Sequence, residues 1–172
     1  NVDTLDRNSS AMDLMPVMNL FNEWHAANTS KKVRSVMAAN SRQGKYLAAS
    51  AAYGYIKADD EKHTPIIDEE AAVIVRRIFE QRASGSSPKQ IAKQLNKDGV
   101  PIPSDHRYHL KGKENPLVTS HLWNDCMVRG ILNNEIYIGN LAQQRVTTVS
   151  YKNHKQVSKP ESEWIKVENT HE

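Results

Sequence analysis

One cysteine, Cys126, is all the chain has, so no internal disulfide can form and no thiolate-rich zinc site can be assembled from these residues. That scarcity points to a reducing, cytoplasmic compartment. No apolar run approaches the ~18 residues of a membrane span and no signal-peptide pattern opens the chain, so a membrane partner is not expected. Acid is missing where base is dense: from Lys31 to Lys45 there is no Asp or Glu, while Lys31, Lys32, Arg34, Arg42 and Lys45 are all cationic. The formal net charge of +3 hides this patch, because residues 1–30 set Asp3, Asp6, Asp13 and Glu23 against Arg7 alone. Met is also missing from the first position, which is Asn1, and the chain reads as a piece of a longer polypeptide.

What is present suits a soluble protein with a core. With 172 residues, 38% hydrophobic and 25% charged, the chain fits one domain with an appendage or two small domains. The segment from Leu14 to Lys45 organises the rest. Leu14, Val17, Met18, Phe21 and Trp24 recur at the spacing of one helical face, and they form a candidate oligomer contact. Residues 1–13 read as a polar loop in which Asp13 caps a helix and Pro16 falls in its first turn. The helix is expected from Leu14 to about Ala39, with Asn28-Thr29-Ser30 as a candidate bend. Part of it should project, carrying Lys31, Arg34 and Arg42 on roughly one side toward phosphates. A solvated helix face is the plainer reading of the same residues.

Residues 40–52 read as a linker, Tyr53 to Ile56 as a short strand, and Asp59 to Lys62 as a turn. The domain boundary is placed here, giving 1–45 and 46–172. Asp68 should cap a helix with Ala71, Val75, Ile78 and Phe79 inward and Arg76 paired to Glu80 outside, ending at Gly85. Ser87, Pro88 and Gln90 spell a capping box with proline at the first helical position. The helix they open buries Ile91, Ala92 and Leu95, stops at Gly99, and shows Lys89, Lys93 and Lys97 on its other side. Residues 101–120 carry three prolines and no period, and are expected to be a long exposed loop. Asn124 or Asp125 should cap a short helix with Val128, Ile131 and Leu132 inward and Cys126, Arg129, Gly130 and Asn133 outward. Tyr137–Val149 and Trp164–Val167 read as strands of a hairpin.

The expected fold is mainly α with a small antiparallel β component, a long helix followed by a winged helix-turn-helix-like module. In such a module the last short helix enters the major groove, where Arg129 and Asn133 suit guanine and adenine edges. The lysines of the preceding helix suit phosphates, because a lysine ridge binds charge without specifying a base. Trp123 reads as a core anchor in preference to a stacking platform. His106, His109 and Asp105 are the one metal candidate, against which a polar loop is the simpler account.

The run Asn22-Glu23-Trp24-His25-Ala26-Ala27-Asn28-Thr29-Ser30-Lys31-Lys32-Val33-Arg34 resembles the large serine recombinases, the transposon and phage-integrase relatives of the resolvases and invertases. So do Gly44-Lys45, Tyr53-Gly54-Tyr55, Ala72 to Phe79, Gln90-Ile91-Ala92 with Leu95-Asn96, and Trp123 followed by Val128, Ile131-Leu132-Asn133, Tyr137 and Gly139. Their number and order span most of residues 13–140. The resemblance implies a long helix leaving a catalytic domain, with Leu14 to Trp24 in dimer and tetramer contacts and Lys31, Lys32 and Arg34 near the backbone of an attachment site. Arg42 and Lys45 would belong to the linker, and the body of the DNA-binding recombinase domain would run from residue 52 to about 170. It also implies bacterial, nucleoid-associated DNA recombination for the parent protein, with double-stranded DNA and further copies of itself as partners.

The family's serine nucleophile, which attacks a phosphodiester without metal or nucleotide cofactor, is expected before residue 1. Ser9 and Ser10 have only Arg7 near them and are not promoted to that role. No cofactor is expected within these residues, and the family's zinc domain is expected after residue 172. The fragment should bind DNA without cutting it. Two readings from other classes stand beside this one: a dimeric winged-helix transcriptional regulator, and a helical protein-interaction module with an incidental basic segment.

Overall fold

In the computed structural model, which describes residues 6–116, 119–150 and 152–171 and the side chains from Leu14 onward, the first element is a helix, α1, spanning Asp6–Arg42. Its 37 residues make it ~56 Å long at 1.5 Å per residue. The expected start at Leu14 is therefore too late: Asp13 is helical and not a cap, and Pro16 lies inside the helix. Its ring removes one i→i−4 bond, a local cost of about 3 kcal/mol that the turns on either side carry. Helix α1 continues unbroken through Asn28-Thr29-Ser30. Of the polar loop expected at residues 1–13, positions 6–13 are helix and 1–5 lie outside the described residues.

Two compact units divide the chain, residues 1–43 with 143–165 and residues 44–142 with 166–172. In the first, strands β4 (Val146–Thr148) and β5 (Gln156–Ser158) form an antiparallel hairpin in register Val146↔Ser158. Among the described residues, side-chain bonds tie this returning segment to α1. Arg34 Nη2 donates to the Thr148 carbonyl at 3.4 Å, Lys152 Nζ meets Glu23 at 2.6 Å, and Gln144 Nε2 donates to the fully buried Ser41 hydroxyl at 3.4 Å. Arg145 lies over the Trp164 ring at 4.9 Å, a cation–π contact.

The second unit begins with the antiparallel pair β1 (Tyr55–Lys57) and β2 (Pro65–Ile67). Helices α2 (Glu69–Ala83), α3 (Pro88–Lys97), α4 (Pro103–His109) and α5 (Asp125–Leu132) follow, then a 3₁₀ turn at Glu135–Ile138. Strand β3 (Leu141–Gln143) pairs with β6 (Ile165–Val167). This is the expected mainly helical α+β architecture. It differs in detail, since Tyr137 sits in the 3₁₀ turn and the polar stretch after residue 149 contains β5.

The core joins α2, α3 and α5: Val75 and Ile78, Ile91, Ala92 and Leu95, Ile102, Trp123, Val128 and Ile131. Each fully buried aliphatic side chain contributes roughly 1.5–3 kcal/mol by leaving water. Phe79, expected inward, is instead 37% exposed and meets Tyr137 edge-on at 5.7 Å. Arg76 approaches Glu69 at 3.9 Å and not Glu80, while Arg77 pairs with Asp98 beyond the end of α3 and holds that carboxyl below its usual range.

The expected loop at 101–120 contains α4. Pro103 opens it where a missing N–H costs nothing, and His106 is buried in it with Nε2 2.7 Å from Asp68 Oδ2. Asp68 still precedes α2 as its cap residue, but its side chain makes no capping bond.

Near the end of the chain, His171 Nε2 donates to the Ile136 carbonyl at 2.9 Å and Nδ1 meets the Thr170 hydroxyl at 2.7 Å. Burial lowers this imidazole below its ordinary 6.5, and the Ile136 carbonyl opposes the shift without cancelling it. The unfolded chain then binds the proton more tightly than the folded one. Stability from this site is thus complete above 6.5 and falls as the pH drops through that value toward the lowered one. Urea unfolding at about pH 7.5 and about pH 5 should show this decline, and His171→Gln should make the decline smaller. An equal decline in both chains would place the titration elsewhere.

Candidate nucleic-acid interface

Helix α3 is fixed by its first turn. The Ser87 hydroxyl accepts from Gln90 N at 3.3 Å and the Gln90 side chain accepts from Ser87 N at 2.8 Å, closing the capping box with Pro88 just inside it. Such a cap stabilises by about 1 kcal/mol and fixes where the helix begins. With Ile91, Ala92 and Leu95 buried, the phase of the helix leaves Lys89, Lys93 and Lys97 exposed, a ridge about 12 Å long at 1.5 Å per residue.

Helix α5 is placed as tightly. The Asn124 side chain accepts from Met127 N at 2.9 Å, Val128 and Ile131 are buried, and the helix packs on α3. Asn96 of α3 locks the approach: its amide donates to the Trp123 carbonyl at 2.9 Å and accepts from Trp123 N at 2.7 Å. Cys126, Arg129, Gly130 and Asn133 all face out, as their spacing predicts. Arg129 reaches Asp125 at 3.1 Å across one turn, with the Arg129 side chain 63% and the Asp125 side chain 40% exposed. Such an exposed pair is worth little, so the guanidinium can exchange onto an anion at small cost.

Between the end of α2 and α5 lies an open cleft of about 530 Å³ lined by Phe79, Arg82, Pro88, Arg129, Leu132 and Asn133. Arg82, whose Nη1 donates to the Ser86 carbonyl at 3.2 Å, is absent from the residues singled out by sequence. Its position in the last turn of α2 is the only sequence signal for it, and that suggests no more than a helix-end charge. Arg129 and Asn133 are brought together on this cleft.

Over residues 69–172 the chain matches the sequence model of the family described as Recombinase. The chain belongs to the recombinase family. The match holds α2, α3, α4, α5 and the strands that follow, so the cleft and the lysine ridge both fall within the recombinase region. This family is one of site-specific recombinases acting in DNA recombination. No solved structure matches the recombinase chain.

The remaining residues singled out by sequence stand in the first unit of this recombinase or at its boundary. Lys31, Lys32, Arg34 and Arg42 are exposed on α1, and Lys45, half-buried, is in the second unit. Leu14, Val17, Met18, Phe21 and Trp24 are all exposed, Trp24 at 60%, with Phe21 and Trp24 ring centroids 6.0 Å apart. Among the described residues no group of three or more His, Cys, Asp or Glu can hold a metal ion. The candidate set dissolves for a physical reason: His106 is spent on Asp68, while Asp105 binds His121 at 2.7 Å and Asn115 at 2.8 Å. Burial would raise the Asp105 carboxyl, but these two bonds bring it below its usual range. No helix among the described residues is long and apolar enough to cross a membrane.

Proposed function

We propose that this chain is the DNA-binding and subunit-linking part of a serine-type site-specific recombinase, reading one segment of a mobile element's attachment site. The observation that carries the reading is the family match over 69–172, a region that contains the exposed cations Lys89, Lys93, Lys97 and Arg129. In this reading α5 enters the major groove as the second helix of a helix-turn-helix does, with Arg129 and Asn133 toward base edges. The α3 lysines fasten the backbone, and Lys31, Lys32, Arg34, Arg42 and Lys45 meet phosphates further along. The exposed apolar residues from Leu14 to Trp24 support a contact with another subunit or domain of the parent, since a contiguous apolar stripe in water marks an interaction surface. The residues themselves call for no cofactor.

Selection from a random duplex pool tests this reading. Recovery of a motif about one DNA turn long, bound with a steep salt dependence, is the expected result, and no retention at low salt would overturn it. On the recovered motif, Arg129→Ala should relax preference at one base pair by roughly 1–3 kcal/mol. Uniform weakening across all duplexes would instead make Arg129 a backbone contact.

A further inference from the structure

One glycine stands where the fold does not ask for it. Of the seven glycines in the chain, Gly44, Gly54, Gly85, Gly99, Gly112 and Gly139 have positive φ, where a side chain would be strained. Gly130 alone has ordinary helical backbone, inside α5. A Cβ built on it meets nothing within 4 Å. Neither backbone conformation nor packing within the chain excludes a methyl group, and an alanine would favour the helix.

The surroundings say what the gap serves. Cys126, Arg129, Gly130 and Asn133 recur at i, i+3, i+4 and i+7, so they share one exposed face and Gly130 forms a notch in its middle. Arg129 and Asn133 also line the cleft that holds Arg82. A face with the Arg129 guanidinium beside a bare stretch of helix backbone, and with Arg82 across the adjoining cleft, is complementary to a polyanion that comes close.

We propose that Gly130 is the point of closest approach between α5 and the DNA duplex. The missing side chain lets the helix backbone settle against one strand, and Arg82, across the cleft, supplies charge to that strand. Gly130 is thus a positioning residue, setting how deep the neighbouring Arg129 and Asn133 reach. This inference rests on the DNA-binding reading above.

Gly130→Ala and Gly130→Leu in the full chain test it, with duplexes recovered by the native chain as the probe. Gly130→Ala should raise the thermal midpoint by about 2–4 °C. The same change should weaken duplex binding about tenfold, and Gly130→Leu further, because a tight approach admits no added volume. The salt slope should stay unchanged, since no charge is removed. Native-like binding by both variants would overturn the proposal while leaving DNA binding intact. A lowered midpoint for Gly130→Ala would also overturn it, by showing that the fold itself needs the glycine. Failure of the native chain to retain any duplex would overturn the DNA-binding reading and this inference with it.

Discussion

Trp123→Ala should destabilise the second unit by about 3–5 kcal/mol, the usual range for removing a large aromatic from a packed core. The side chain is 3% exposed and belongs to the cluster that joins α2, α3 and α5. Its indole N–H donates to the Val100 carbonyl at 3.0 Å, and Tyr53 meets the ring edge-on at 5.7 Å. Alanine leaves a cavity and also strands that carbonyl, so the loss combines two costs. Trp123→Phe separates them, because the ring volume is mostly kept and only the hydrogen bond goes. Its expected cost is about 1–3 kcal/mol. Urea unfolding followed by circular dichroism measures both, and a cost under ~1 kcal/mol for the alanine variant would show that Trp123 does not anchor the core.

Joint replacement of Lys31, Lys32 and Arg34 by alanine should flatten the salt dependence of duplex binding by up to ~2.7 in log–log slope, at ~0.9 for each phosphate no longer neutralised. Over a fourfold rise in salt, that slope corresponds to about a fortyfold difference in retained affinity. The three side chains are exposed on an unbroken stretch of α1. The bond from Arg34 to the Thr148 carbonyl is long, at 3.4 Å, and exposed, so it competes weakly with a phosphate. The loss should be similar for all duplex sequences, because these cations touch backbone. An unchanged slope would remove all three from the interface.

How much of this was legible in the sequence follows from how local each signal is. Helix α3 was readable end to end, since Ser87, Pro88 and Gln90 start it and Gly99, at φ +68°, lies just past its end. The inward and outward faces of α5 were readable for the same reason: eight residues with one cap leave a single phase that buries Val128 and Ile131. Helix α4 was not, because Pro101 and Pro103 look like breakers until one knows that Pro103 opens a helix. Its burial depends on Asp68, 38 positions away from His106, and periodicity carries no such information. The start of α1 was misplaced because proline is far more common in a first turn than inside a helix, and Pro16 is the exception. At the candidate interface, Lys89, Lys93, Lys97, Arg129 and Asn133 could be assigned to outer faces from spacing alone. Arg82 could not, because its place on the cleft depends on how α2 meets α5.

The bonds that tie Ser41, Arg34 and Glu23 of α1 to the returning hairpin segment join residues 103, 114 and 129 positions apart. On the ribosome the helix is therefore made long before its hairpin exists. At ~5–20 residues per second, Arg34 waits roughly 6–23 s for Thr148 to be synthesised. The whole of α2 to α5 is completed in that interval, from contacts that close over much shorter stretches of chain. The core of α2, α3 and α5 can thus fold first, and α1 acquires its hairpin only afterwards, followed by the β6 segment that completes the second unit.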